Sequence, residues 1–219
     1  MIGFLVTLMA TASITTGWTA DGKDIFTKGA GEAPACAACH GASGEGQPDA
    51  GFPRIAGLNA VYVEEQLESL NGDPRRDDTR TPPPKPPPAG AGRGVEFYVC
   101  AQAPPLAPSE EKPDKDSIAK GTELAAHGDW PKGLAGCNQC HGPGGIGVGT
   151  AFPKLAGQPA AYIEKQLNDW KAGNRANDPL ALMAGVTKKL DDGQIKAVAA
   201  YYASLNLDGA AAQAKEPAQ

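Results

Sequence analysis

Cys36-Ala37-Ala38-Cys39-His40-Gly41 returns later in the same chain as Cys137-Asn138-Gln139-Cys140-His141-Gly142. The likeness spreads outward from these two hexapeptides. Phe52-Pro53-Arg54-Ile55-Ala56-Gly57 is matched by Phe152-Pro153-Lys154-Leu155-Ala156-Gly157, and Tyr62, Glu64, Gln66 and Leu67 by Tyr162, Glu164, Gln166 and Leu167. Upstream, Gly22 and Ile25 pair with Gly121 and Leu124, so the offset stays between 99 and 101. A fixed long period means two copies of one folding unit in tandem. Pro104, Pro105, Pro108 and Pro113 sit among charges between the copies, a composition that suits an exposed linker.

Each copy is small, and 28 Gly plus 20 Pro in 219 residues leave little for a large packed core. A unit of about 80–100 residues is marginal without a metal or a bound cofactor. The cysteines point to what fills it. A four-cysteine zinc site closes a loop of about 15–20 residues between its pairs, whereas 97 residues intervene between Cys39 and Cys137. A thioredoxin-like dithiol needs a βαβ setting, and no run here alternates with period two. What C-x-x-C-H does well is hold haem. Two thiols each add to a vinyl group, and the adjacent histidine is placed to ligate iron. The reading is two covalently bound haem c groups, attached at Cys36 and Cys39 and at Cys137 and Cys140, with His40 and His141 as iron ligands. A net charge of −5 argues against a nucleic-acid binder.

The periodicity is helical. Ile163, Leu167 and Trp170 fall at i, i+4, i+7, repeated by Val63, Leu67 and Leu70. Short helices are expected before each cysteine motif, at about 22–29 and 118–127. A last helix follows Asp191-Asp192-Gly193-Gln194, where Asp191 and Gln194 can form a capping box. Its expected buried face is Ile195, Val198, Ala199, Tyr202 and Leu205. The fold class is therefore all-α, with two tandem domains each wrapped round one haem.

Each half resembles a class I cytochrome c domain, and the tandem is similar to the dihaem cytochrome c-four family. The resemblance rests on the two C-x-x-C-H-G motifs, the F-P-x-[IL]-A-G segments, the Y-[IV]-E-x-Q-L helices, and Met183 ahead of Val198-Ala199-Ala200-Tyr201-Tyr202-Ala203. It covers most of residues 21–207, more fully in the second half. It implies one-electron transfer in the periplasm, often toward a terminal oxidase. It also implies that Met183, 43 residues after Cys140, is the second axial ligand of the second haem.

The first copy has no such methionine. Aligning Tyr98 with Tyr201 puts the slot at Arg80, and aligning Phe52 with Phe152 puts it at Pro83. Six of the 20 prolines crowd residues 82–88, and none of the nearby residues is a soft ligand. The counterparts of Leu180, Leu182, Val186 and Leu190, expected to pack on haem, are missing too. Three explanations of residues 73–94 stay open. They are a genuine polyproline insertion that leaves the first haem open or differently ligated, a misread frame between two compensating slips, and ligation by His127, Cys100 or Lys85.

Other residues are read more plainly. Cys100 aligns with Ala203 and suits a buried structural thiol, and His127 a solvated helix end. Trp130 and Trp170 are expected to pack beside the second haem. Arg54 and Lys154 are either propionate partners or surface charges. Residues 1–20 read as a signal peptide, with an apolar run at 2–10, Ala10-Thr11-Ala12 as a small-x-small site, and the first charge at Asp21. The run lacks a basic start and is well short of the ~20 residues that span a bilayer. The domain organisation is then 21–102, a linker at 103–116, 117–208, and a tail at 209–219. The expected function is a periplasmic dihaem carrier working with redox partner proteins such as an oxidase, cytochrome complex or dehydrogenase, with peripheral membrane association left open. Two alternatives are kept. One is the cytochrome subunit of a periplasmic dehydrogenase of flavocytochrome sulfide type, and the other an enzyme acting at an open first haem.

Overall fold

A computed structural model of the protein describes residues 22–71, Gly94, Val95, Tyr98, Val99, Ala101 and residues 113–205. The expectations for residues 1–20, residues 73–93, Cys100 and residues 209–219 lie outside that range. The first half contains α1 (Gly22–Lys28), α2 (Ala37–His40) and α3 (Ala60–Asn71), followed by the helical residues Gly94, Val95, Tyr98 and Val99. The second contains α4 (Lys115–His127), α5 (Asn138–His141), α6 (Ala160–Ala172), α7 (Leu182–Thr187) and α8 (Asp192–Ser204). Among the described residues the only extended pairings are four isolated bridges, and these also recur: Gln47 with Phe52 and Val148 with Phe152, Ala30 with Ala33 and Asp129 with Leu134. The all-α reading holds.

Local chemistry explains the helix ends. Asp114 caps α4 by accepting from Ser117 N at 2.9 Å, so ordered helix begins inside the span read as linker. Gly128 (φ 74°) stops α4, because the left-handed turn it makes is one that side chains disfavour. Asp191 and Gln194 form the expected capping box on α8.

Two separate cores result. Ile25, Phe26, Leu58, Val63, Val95 and Val99 pack together in the first half. Leu124, Leu134, Ile163, Leu167, Leu190, Ile195, Val198, Tyr201 and Tyr202 do so in the second. Helices α4 and α8 cross closely at Gly121, where any Cβ would collide with the carbonyl of Ala197. Gly22 meets Gly94 in the same way, so the repeated glycines mark the same crossing in both halves. The repeat is also legible in single bonds. Gly57 N donates to Val99 O and Gly157 N to Tyr202 O, both at 2.9 Å. That pairing agrees with aligning Tyr98 on Tyr201.

Several burial expectations differ. All of Ala197, Ala200 and Tyr201 are buried on α8 besides the expected face, because α8 is covered from both sides by α4 and α6. Leu70 is exposed although its counterpart Trp170 is half-buried. Of the four residues expected to face haem, Leu190 is buried in the second core and Val186 packs against that core, while Leu180 and Leu182 stand clear of it, which leaves their expected haem contact untouched. The chain turns outward there because Leu180 and Ala181 both take left-handed backbone angles. Trp130 is 65% exposed, since it opens a one-turn 3-10 helix (Trp130–Lys132) on the surface.

Candidate haem sites

The two C-x-x-C-H turns are nearly superposable in their bonding. In each, the histidine N–H closes a turn on the carbonyl of the first cysteine at 2.9 Å, Cys36 for His40 and Cys137 for His141. Gly46 N donates to His40 O at 2.8 Å and Gly147 N to His141 O at 2.7 Å. The next segment then folds back. Gly44 O accepts from Ile55 and Ala56, and Gly145 O from Leu155 and Ala156, all between 2.8 and 3.0 Å. This clasp places the Phe-Pro pair under the histidine ring. The offset changes from 101 to 100 inside the clasp, where the first half has the 3-10 turn Pro48–Ala50 and the second a shorter loop.

That return loop settles the imidazole orientation. His40 Nδ1 lies 2.9 Å from Pro53 O, and His141 Nδ1 lies 2.8 Å from Pro153 O. A carbonyl only accepts, so Nδ1 carries the proton, and in the neutral ring Nε2 then has the lone pair that a metal-ligating imidazole requires. Phe52 and Phe152 stand edge-on to the two rings at a centroid distance of 6.0 Å in both halves. Burial holds the His141 imidazole below its ordinary range, so it is neutral at pH 7.

The cysteines are not paired with one another: Cys36, Cys39, Cys137 and Cys140 are all free thiols. Burial pushes Cys137 up to about 11, and it raises Cys36 as well. No cluster of three or more His, Cys, Asp and Glu gathers among the described residues, which leaves a closed zinc site without ligands. The donor set fits haem c in each half, with two thiols one helical turn apart and an imidazole whose Nδ1 is engaged and whose Nε2 is left to face a metal. Tyr202, buried against Cys137, donates to Asn138 Oδ1 at 2.8 Å and steadies the second turn.

Met183 lies in the first turn of α7, half-buried against the core that also receives Cys137. Its backbone N–H donates to Asp178 Oδ2 at 2.7 Å, joined by Ala184 N at 3.1 Å. The same carboxylate accepts from Trp170 Nε1 at 3.0 Å through Oδ1. Trp170 therefore braces the methionine segment, a role that sequence did not assign. His127 is the solvated helix-end residue expected, 74% exposed beside Glu123.

The halves touch through their repeated segments. Arg54 is 2% exposed, which removes the surface-charge reading. Its backbone N–H donates to Gln158 Oε1 at 3.1 Å, and its carbonyl accepts from Gln158 Nε2 at 2.7 Å. Lys154 lies near enough to Arg54 that burial and this second cation together lower its pKa. A second junction centres on Arg175, buried on the second half. It donates to Gln166 Oε1 at 2.6 Å and to Gln66 Oε1 at 2.9 Å, bringing the repeated glutamines to one guanidinium. Neither Gln158 nor Arg175 stood out in the sequence, because each matters through a partner about a hundred residues away.

Residues 19–97 and 118–206 match the cytochrome c family profile. A thiosulfate dehydrogenase electron acceptor of Thiomonas intermedia (strain K12) is 43% identical over 173 residues, 79% of each chain. Cytochrome c4 of Stutzerimonas stutzeri is 33% identical over 92% of this chain and 98% of its own. Among solved structures, thiosulfate dehydrogenase from Marichromatium purpuratum aligns at 37% identity with a TM-score of 0.77. The alignment covers 84% of this chain and 39% of that one.

Proposed function

The chain belongs to the cytochrome c family, with two haem c groups on one polypeptide, and from that premise we propose that it takes single electrons from a thiosulfate-oxidising dehydrogenase in the periplasm. It is a dihaem electron-transfer cytochrome. Bound haem supplies a one-electron Fe(III)/Fe(II) couple whose potential follows axial ligation, hydrogen bonding and burial. Cys36 and Cys39, and Cys137 and Cys140, hold the two groups by thioether bonds. His40 and His141 offer Nε2 to iron, held in orientation by Pro53 O and Pro153 O. Those bonds raise imidazole basicity and limit ring rotation, so little has to reorganise when the charge on iron changes. Met183 would supply a second ligand to the iron of the second domain. Arg54 and Lys154, two cations drawn together where the domains meet, suit the propionate carboxylates.

The name of the Thiomonas relative carries the choice of donor. The carrier reading is supported by the relatives the chain matches, an electron acceptor of thiosulfate dehydrogenase and cytochrome c4. The experiment mixes oxidised protein with a thiosulfate dehydrogenase and thiosulfate and follows the visible spectrum. Rapid reduction of both haems is expected. Reduction no faster than by thiosulfate alone overturns the donor assignment.

A second reading, a cytochrome that stays bound to its dehydrogenase, is favoured by the Marichromatium structure, in which a chain of this fold is 39% of a longer thiosulfate dehydrogenase. Purification from the native host separates the two: a permanent subunit brings a stoichiometric dehydrogenase with it, and a carrier does not.

A further inference from the structure

Between α6 and α7 the chain must turn back to present Met183, and it does so awkwardly. Leu180 (φ 60°) and Ala181 (φ 52°) are both left-handed without being glycine. Such backbone persists only where the surroundings hold it. Asp178 supplies one restraint, with one carboxylate oxygen on Met183 N and Ala184 N and the other on Trp170 Nε1. Trp170 is held in turn by Arg175, whose guanidinium lies 3.9 Å above its ring.

Arg175 is 4% exposed, and each of its nitrogens is committed: Nη1 to Gln166 Oε1, Nε to Asn177 Oδ1 at 2.8 Å, and Nη2 to Gln66 Oε1. Tyr62 OH lies 3.4 Å from Nη2 as well. Asn177 Nδ2 also donates to Gln66 Oε1, at 2.9 Å. One carbonyl oxygen on α3 of the first domain therefore receives two N–H groups from the segment that carries the methionine of the second.

We propose that Gln66, Arg175, Asn177, Trp170 and Asp178 form a positioning network through which docking of the first domain holds Met183 on the second haem. The inference rests on Met183 being that ligand. None of the five residues supplies an iron ligand; they act through the backbone of α7. Loss of the first-domain acceptor frees the Arg175–Asn177 end of the segment, and the methionine sulfur is then displaced more readily.

The test uses the full-length holoprotein in the ferric state, with imidazole as the probe. The methionine-to-iron charge-transfer band reports sulfur ligation. Gln66→Ala, on the other domain, removes one acceptor shared by two hydrogen bonds. Imidazole displacement of methionine is expected to become roughly tenfold more favourable, the change given by one charge-assisted hydrogen bond. Asn177→Ala, which keeps the Arg175–Gln66 bond but removes both bonds of Asn177, is expected to show a change in the same direction. Gln66→Glu retains an accepting oxygen and restores the wild-type displacement constant. If Gln66→Ala and Asn177→Ala both leave that constant within a factor of about two of wild type, the network does not position the ligand. A wild-type protein without the band, or a Met183→Ala protein that keeps it, overturns the ligand assignment and this inference with it. The two failures are thus distinguished.

Discussion

Replacing Gln158 by leucine tests whether the two domains are held as one unit. Gln158 is 5% exposed and Arg54 2%, so their paired hydrogen bonds of 3.1 and 2.7 Å are shielded from water. Leucine has a similar size, and the first copy already carries Leu58 at the equivalent, buried position, so the local turn accepts it. The substitution removes the acceptor for Arg54 N–H and the donor for Arg54 C=O. A buried polar group that loses its bond costs about 1–3 kcal/mol, and added apolar burial recovers roughly 1 kcal/mol. With two such groups the docking free energy should weaken by about 1–5 kcal/mol, or roughly 5- to 4,000-fold in the docking equilibrium.

The tryptophans provide the assay. Trp130 and Trp170 both lie in the second domain, so fluorescence of a Trp18→Phe form of the protein reports the second domain alone. The haem Soret band reports both. In urea the two signals should coincide for wild type and separate for Gln158→Leu, as two uncoupled transitions replace one. Coincident and unshifted transitions in the variant would refute the reasoning, and with it the energetic importance of the Arg54–Gln158 contact.

Other outcomes follow from single sites. Met183→Ala should lower the potential of one haem in a redox titration and leave the other in place; equal shifts of both, or of neither, would reject the ligand assignment. Asp191→Ala removes the α8 capping box and should destabilise the second domain, read as a lower urea midpoint by tryptophan fluorescence. Acid should loosen the same region. The carboxyls of Asp129 and Asp191 are held below their ordinary range by Gln194 and Lys132 for the first and Lys132 and Gln194 for the second. Their contribution is complete above the unfolded carboxylate pKa of about 4 and is lost as pH falls through the lower folded values. Asp129→Asn should flatten that acid limb, measured by tryptophan fluorescence between neutral pH and about pH 2.

Much of the fold could be read from residue spacing, because the chemistry concerned is local. C-x-x-C-H sets its own turn, and Asp191 and Gln194 are close enough in the chain to cap α8. Gly22 and Gly121 recur because each admits a helix crossing that a side chain would block. What spacing could not reveal depends on the way the halves meet. Arg54 looked like any basic residue after Phe-Pro, yet docking buries it. Gln66 and Gln166 were visible as a repeated pair, but their common partner Arg175, matched in the sequence by Arg75, lies outside the repeated motifs and is tied to them only by the fold. Trp130 and Leu180 were expected to touch haem, and the fold supplies the local reason they stand away from the protein core: a surface 3-10 turn for the first and a left-handed backbone for the second.

The most direct measurement is an anaerobic redox titration of the purified protein, followed by visible spectroscopy, with its intact mass determined alongside. The account predicts a mass increase of two haems per chain and two reversible one-electron steps, both with c-type spectra. A single covalent haem, or a chain whose cysteines remain free thiols after maturation in a competent host, would contradict it.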